Sequence, residues 1–105
     1  MAFGMQTIYE MVTGRSSRWP KVRDAHLVAN PRCVHCRQDA DEVHHLRPVH
    51  VAPALELDAN NLASVCRRCH LCVGHLGNWN LWNDNFWQCV NVANKGRRGP
   101  AGENE

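Results

Sequence analysis

The sequence predicts a single small α+β domain in which two short strands lie between helical segments. Its 105 residues suffice for one domain, and at this length the apolar core is marginal and is often supplemented by a metal ion. Helix-start signals precede two strand-like runs, and a further helical segment follows them. One Cys-x-x-Cys pair stands before these runs and a second one ends them. These observations together predict a small mixed fold with a metal staple.

The first predicted helix covers residues 16–30. It begins with serines and has Pro20 near its first turn, and both features are typical of helix starts. It ends before Pro31, because a residue that precedes proline disfavours the helical conformation. The pattern that follows predicts a strand over 42–49, which Pro48 ends, and a loop over 50–61. It then predicts a second strand over 62–66 and a helix over 67–73 that Gly74 ends.

The ends of the chain carry less pattern. Residues 1–15 are interpreted as an N-terminal extension and the polar, Gly-rich segment 93–105 as a disordered tail, which leaves 16–92 as the domain. Between the last predicted helix and the tail, the aromatic residues show no clean period. We expect them to pack over the core, with stacking on nucleic-acid bases as the alternative; they are Trp79, Trp82, Phe86 and Trp87.

Composition narrows the class of protein. The chain has no apolar run of about 18 residues, so a membrane span is not expected. Its first residues lack the basic start and apolar centre of a signal peptide, and we therefore expect an intracellular protein with reduced cysteines. The net charge of +2 is compatible with nucleic-acid binding without proving it.

Four of the six cysteines have the spacing of a zinc site. Two Cys-x-x-Cys turns can each point two thiolates at one centre and together complete a tetrahedral site. Reduced core cysteines or a redox pair are the alternatives, but a redox motif leaves the second pair unexplained. The predicted ligands are Cys33, Cys36, Cys66 and Cys69. Cys72 and Cys89 match no spacing rule and are expected to be free buried thiols, with an additional ligand role or a disulfide as alternatives.

Adjacent histidines in the first strand raise a separate question. Neighbouring side chains on a strand point to opposite faces, so His44 and His45 cannot easily bind one ion. His70 directly follows the last paired cysteine, and the zinc staple can bring it close to His44. The pattern favours an open metal site beside a free imidazole. Each histidine could instead be a buried structural residue.

The string CVHC…EVHHLRPVH…ELDANNLASVCRRCHLCVGHLGNW resembles the HNH endonucleases, and more closely the small HNH proteins of phages and prophages. The likeness covers residues 16–83 and rests on the combination of motifs. It implies a ββα-metal (His-Me finger) core, in which a two-stranded hairpin and one helix hold a metal ion, with the four-cysteine zinc knuckle and flanking helices around it.

The resemblance also assigns roles to individual residues. By position, His44 and His70 fall on the metal ligands, His45 on the general base and Asn61 on the asparagine that helps to hold the base. His75 is a further candidate ligand, although residues five apart on an ideal helix do not share a face; a structural or phosphate contact is the alternative. With histidine at 44, where the family commonly has aspartate, the site shifts from Mg²⁺ toward Mn²⁺, Ni²⁺ or Zn²⁺.

The implied function is metal-dependent hydrolysis of DNA phosphodiester bonds, by nicking or double-strand cleavage. Structural Zn²⁺ and one catalytic divalent ion are the implied cofactors. The resemblance further implies a phage-encoded protein that acts in the host cytoplasm, with terminase or portal proteins as partners in DNA packaging. A zinc-stabilised DNA- or protein-binding module without catalysis is the alternative.

DNA binding requires cations near the motif. Arginine can bond phosphate oxygens with two parallel N–H groups, although a basic face is often only a solvated surface. Arg15 belongs to the same basic segment as the first candidates. The candidate DNA-binding residues are Arg18, Lys21, Arg23, Arg47, Arg67 and Arg68. His50 and Glu56 are expected in the loop, with packing against the site as the alternative.

Overall fold

The computed structural model describes residues 13–95 and confirms the predicted α+β class. The elements are helix α1 (Trp19–Ala29), strand β1 (Glu42–His45), strand β2 (Leu62–Val65), helix α2 (Arg67–Cys69), a π-helical turn (His70–Gly74) and helix α3 (Phe86–Ala93). The predicted extension over 1–15 and the predicted tail over 93–105 lie mostly outside the described residues. Among those residues, no helix is both long and apolar enough to cross a bilayer.

The two strands form an antiparallel hairpin that divides the core. Glu42 pairs with Val65 and His45 pairs with Leu62, and opposite residues share a face of the sheet. One face packs against α1, where Val43, Leu62 and Trp19 are buried together. The other face carries Ala63 and Val65 and packs against the paired cysteines and α3.

The first strand is shorter than predicted. It ends at His45 because the side chain of Asn61 bonds both backbone groups of Arg47, which turns the chain out of the sheet. The loop that follows contains short 3-10 turns over Pro53–Leu55 and Ala59–Asn61 before β2 begins. This loop joins the end of β1 to the start of β2, where His45 pairs with Leu62.

Predictions for the C-terminal third need correction. Cys72 and Cys89 are free thiols as expected, but they are exposed and not buried. Phe86 is in the core, whereas Trp79 is 44% and Trp87 43% exposed. Since Phe86 and Val90, four residues apart, form the buried stripe of α3, the residues between them face outward.

Candidate active site

The four paired cysteines converge on one centre. Their sulfur atoms all lie within 4.8 Å of one another, and Sγ of Cys36 lies 3.7 Å from Sγ of Cys66. Tetrahedral zinc with Zn–S bonds of about 2.3 Å requires sulfur atoms about 3.8 Å apart. In each pair the backbone N–H of the second cysteine points at the first sulfur, from Cys36 to Cys33 at 3.5 Å and from Cys69 to Cys66 at 3.4 Å.

The chemistry of this cluster also fits a cation. Burial, followed by the neighbouring Cys66 and Cys33 sulfurs, raises the pKa of the Cys69 thiol. Four adjacent sulfurs therefore cannot all ionise without a compensating positive charge, and bound Zn²⁺ supplies that charge. These residues could hold the structural zinc that their spacing predicts.

A second cluster consists of the imidazoles of His44, His70 and His75. Their ring centroids lie 5.0 Å apart in each pair, and one ring nitrogen of each lies within 4.8 Å of the others. Both nitrogens of His44 are buried without a hydrogen-bond partner among residues 13–95. Burial, followed by the nearby His70 and His75 rings, lowers the pKa of His44 to about 3. A neutral, unpartnered imidazole facing two others fits a bound divalent cation.

Hydrogen bonds fix which nitrogens face the centre of this triangle. Nδ1–H of His70 donates to the Glu42 carboxylate at 2.8 Å, and Nδ1–H of His75 donates to the backbone oxygen of Leu81 at 2.6 Å. In both rings Nε2 then keeps its lone pair. A carboxylate or carbonyl behind a histidine is the usual support of a metal ligand, because it sets the tautomer and the ring orientation.

The expectation that His70 and His75 do not share a face is wrong for this chain. It assumed an ideal α-helix, whereas the segment from His70 to Gly74 is a π-helical turn. In such a turn the backbone bonds join residues five apart, so the side chains of His70 and His75 lie on the same side. Turns of this kind occur frequently at functional sites.

His45 occupies the opposite face of β1 from His44. Its Nε2–H donates to the backbone oxygen of Glu56 at 2.9 Å, so Nδ1 is the unprotonated nitrogen and can accept a hydrogen bond. The guanidinium of Arg15 donates to Nδ1 at 3.3 Å, and the Trp19 ring contacts the imidazole at a centroid distance of 4.4 Å. Burial lowers the pKa of His45 to about 4, and the Arg15 cation acts in the same direction. The ring is neutral, with one nitrogen anchored.

Asn61 lies behind His45 without bonding to it. Its Nδ2 donates to the backbone oxygens of Arg47 and Leu55, both at 3.2 Å, and its Oδ1 accepts from the Arg47 N–H at 2.9 Å. Leu55 immediately precedes Glu56, whose oxygen holds His45. The described contacts therefore connect Asn61 to His45 through the loop.

Two clefts meet above the histidines. The histidine cleft, about 740 Å³, is lined by Thr13, Gly14, Arg15, Val43, His45, Pro48, Val49, His50, Pro53, His70, His75, Trp79, Asn80, Leu81 and Trp82. The arginine cleft, about 530 Å³, is lined by Arg15, Trp19, Arg23, Asp24, Leu27, Asp41, Glu42, Val43, Arg67, His70 and Trp79. The two linings share Arg15, Val43, His70 and Trp79, so the clefts adjoin each other beside His70.

The candidate DNA-binding cations are only partly gathered at these clefts. Arg23 and Arg67 line the arginine cleft, where Arg67 also bonds Glu42 at 2.9 Å. Arg47 lines a separate hollow beside Phe86. The remaining three are exposed and lie outside the described linings of both clefts; they are Arg18, Lys21 and Arg68.

Several residues of the site were not assigned from the sequence. Glu42 supports His70, and its position two residues before His44 on a strand could have indicated that both face the same side. The Glu56 carboxylate accepts from the backbone N–H of Ser16 and ties the segment before α1 to the loop. No sequence signal indicated this contact or the approach of Arg15 to His45.

Comparisons with known proteins agree with this geometry. The family model for HNH endonucleases matches residues 32–76, which include both cysteine pairs and the three clustered histidines. No curated protein matches the chain.

A solved structure is also similar. The HNH endonuclease of the deep-sea thermophilic bacteriophage GVE2, determined with a manganese ion, is 31% identical in sequence, with a TM-score of 0.51. The match covers 62% of this chain and 77% of the phage protein. The cysteine and histidine clusters, the family match and this structural similarity together place the chain in the HNH endonuclease family, and the protein is an endonuclease.

Proposed function

We propose that this endonuclease hydrolyses DNA phosphodiester bonds with one divalent cation at His44, His70 and His75 and with His45 as general base. The observation that carries the proposal is the triangle of three imidazoles with an unpartnered His44, next to a fourth imidazole, His45, whose unprotonated Nδ1 faces Arg15. Beyond the four cysteines and these three histidines, the described residues form no further group of three or more metal-ligating side chains. This supports a mechanism with one cation.

In this mechanism the proton moves to Nδ1 of His45. A water molecule in the histidine cleft gives up a proton to that nitrogen, and its oxygen attacks phosphorus while the bond to the 3′ oxygen breaks. The Glu56 carbonyl holds the ring through Nε2–H and stabilises the imidazolium that forms. When bound, the cation stabilises the negative charge that develops on the phosphate and on the leaving oxygen. Asn61 acts as a positioning residue through the loop.

The donor set supports a choice of cation. Three neutral imidazole nitrogens favour Mn²⁺, Ni²⁺ or Zn²⁺ over Mg²⁺, which prefers oxygen ligands. The manganese ion in the phage relative supports the same choice.

Positive charge near the cut holds the DNA backbone in this proposal. Arg15 lines both clefts, and Arg23 and Arg67 extend the positive charge along the arginine cleft. Arg18, Lys21, Arg47 and Arg68 add contacts farther away. Binding through phosphates gives strong salt dependence and little sequence preference.

The biological setting is proposed from likeness. The bacteriophage source of the solved relative supports a phage-encoded protein that works in the cytoplasm of a bacterial host. A role beside terminase or portal proteins in genome packaging rests on the family resemblance alone.

Nicking of supercoiled plasmid tests the catalytic proposal. Wild-type protein is assayed with Mn²⁺, Ni²⁺, Zn²⁺ or Mg²⁺ and with EDTA. We expect cutting with Mn²⁺, Ni²⁺ or Zn²⁺ and none with EDTA. His45→Ala should slow cutting by about 100-fold or more, because a positioned general base contributes roughly 10²–10⁴.

The matched control is His26→Ala, since His26 lies on α1 outside both cleft linings. It should cut like the wild type. Absence of nicking with all four cations would overturn the proposed function, and undiminished cutting by His45→Ala would overturn the assignment of the base.

A further inference from the structure

The histidine cleft extends well beyond the catalytic candidates. Apart from Arg15, its described lining has no permanently charged cation, and much of it is apolar or aromatic. These additional lining residues are Pro48, Val49, His50, Pro53, Leu81 and Trp82. Such a surface does not suit a run of phosphates, which need cations or many N–H donors. It suits a flat, largely apolar group with polar edges.

Trp82 provides a fixed aromatic wall in this part of the cleft. Its indole N–H donates to the Asp84 carboxylate at 2.8 Å, which sets the orientation of the ring. The imidazole of His50 meets the Trp82 ring nearly at a right angle, with centroids 6.2 Å apart. Trp79 differs, because His70, His75 and the Arg67 guanidinium all lie about its ring at 5.0–5.1 Å. The available stacking surface is therefore Trp82.

This wall is physically continuous with the metal-ligand candidates. Leu81, the residue before Trp82, accepts the Nδ1–H of His75 on its backbone oxygen at 2.6 Å. Leu81 itself is 48% exposed beside the cleft. A group that stacks on Trp82 consequently lies next to the residue that supports His75, and so close to a phosphate bound at the three histidines.

The chemistry of the substrate identifies that group. The atoms next to a scissile phosphate are a sugar and its base, and the adjoining arginine cleft already offers the cations that neighbouring phosphates need. In a paired duplex the base points inward to its partner, and it enters a protein cleft only at the cost of unpairing and unstacking. An unpaired base can leave the stack and lie against an indole, and this contact accepts any base.

We propose that the histidine cleft binds an unpaired nucleobase next to the cut, with Trp82 as the stacking residue and His50 beside it. The preferred substrate is then DNA with an unpaired nucleotide at the cleavage position, such as a bulge or a single strand. This inference rests on the proposed function, since it takes the phosphate to be held at the histidines.

The test compares a bulged duplex with a fully paired duplex of the same sequence. Affinity is measured by fluorescence anisotropy in Mn²⁺ with His45→Ala protein, which keeps the DNA intact, and cleavage is measured with wild-type His45. We expect the bulged DNA to bind and to be cut about tenfold better, the range that one base–aromatic stack provides. Trp82→Ala should remove this preference and Trp82→Phe should retain most of it.

Trp87→Ala is the control, because Trp87 is an exposed tryptophan on α3 outside the histidine cleft, whereas Trp82 is half-buried in the cleft lining. It should keep the full preference, and retained zinc in every variant verifies folding. Equal affinity of wild-type Trp82 protein for both DNAs, or an undiminished preference in folded Trp82→Ala, would overturn the inference. Failure of nicking with every cation affects the proposed function instead, since the binding arm needs no cleavage.

Discussion

At the scale of single residues, the backbone of Gly74 packs so closely against the His44 ring that a larger residue at position 74 would displace the ring. A Cβ atom at position 74 would lie 2.9 Å from both Cε1 and Nδ1 of the His44 ring. His44 has no exposed surface and Phe86 contacts it from another side, at a centroid distance of 5.1 Å. The ring therefore has little room to retreat, and glycine lets the π-helical turn come close to β1.

Gly74→Ala is expected to displace the His44 ring and to weaken cation binding at the histidine cluster by roughly 10- to 100-fold, the usual cost of disturbing the support of a ligand. Isothermal titration with Mn²⁺ measures the affinity. Gly77→Ala is the comparison, because Gly77 has a φ of +82° but no atom within 4 Å of the place that a Cβ would occupy. It should reduce stability while leaving cation affinity unchanged; equal affinity in both variants would contradict the role of Gly74.

At the scale of elements, the features of the site that depend on residues close in sequence could be predicted, and those that depend on packing between distant segments could not. Strand alternation is local, so the opposite faces of His44 and His45 followed from the sequence. The convergence of the four paired cysteines on one centre also followed from the spacing within each pair. The π-helical turn did not, because it depends on how the segment from His70 to Gly74 packs against β1.

The loop between the strands shows the same limit. Its turn residues predicted a loop, but the burial of Asn61 and its bonds to Arg47 and Leu55 depend on the folded path of residues 46–61. The family resemblance assigned Asn61 a role in holding the base. Only the structure shows that Asn61 bonds the backbone oxygen of Leu55, and that the next residue, Glu56, accepts the hydrogen bond from His45.

Asn61→Ala tests this connection. It removes the side-chain partner of half-buried backbone groups of Arg47 and Leu55, which should lower the free energy of unfolding by about 1–3 kcal/mol. We also expect cleavage to slow by about tenfold, because a less rigid loop holds His45 less well. Urea unfolding and plasmid nicking measure the two effects. Asn60→Ala, an exposed neighbour, should change stability by less than about 0.5 kcal/mol and leave cleavage intact; wild-type cleavage by Asn61→Ala would show that the loop does not control the base.

At the scale of the whole molecule, the cysteine cluster brings the segment before the hairpin, the second strand and α3 into one buried cluster. Cys33 and Cys69 belong to the buried cluster that includes Val65 and Phe86, so the candidate zinc ligands lie within the core. The sheet has only two strands, and the described helices are short. A core of this size leaves a small margin of stability, and zinc held by four thiolates contributes folding free energy directly.

Cys69→Ser should therefore abolish tight zinc binding and the cooperative thermal transition, since small domains have about 5–15 kcal/mol of stability in total and structural zinc contributes a comparable amount. Cys72→Ser is the matched control, because Cys72 is exposed and lies outside both metal clusters. Elemental analysis after dialysis should find one zinc per chain in the control and none in Cys69→Ser, and circular dichroism should show that EDTA unfolds the control. A cooperative melt in zinc-free Cys69→Ser would mean that the apolar clusters alone hold the hairpin against α1 and α3, and the cysteines would then serve some purpose other than folding.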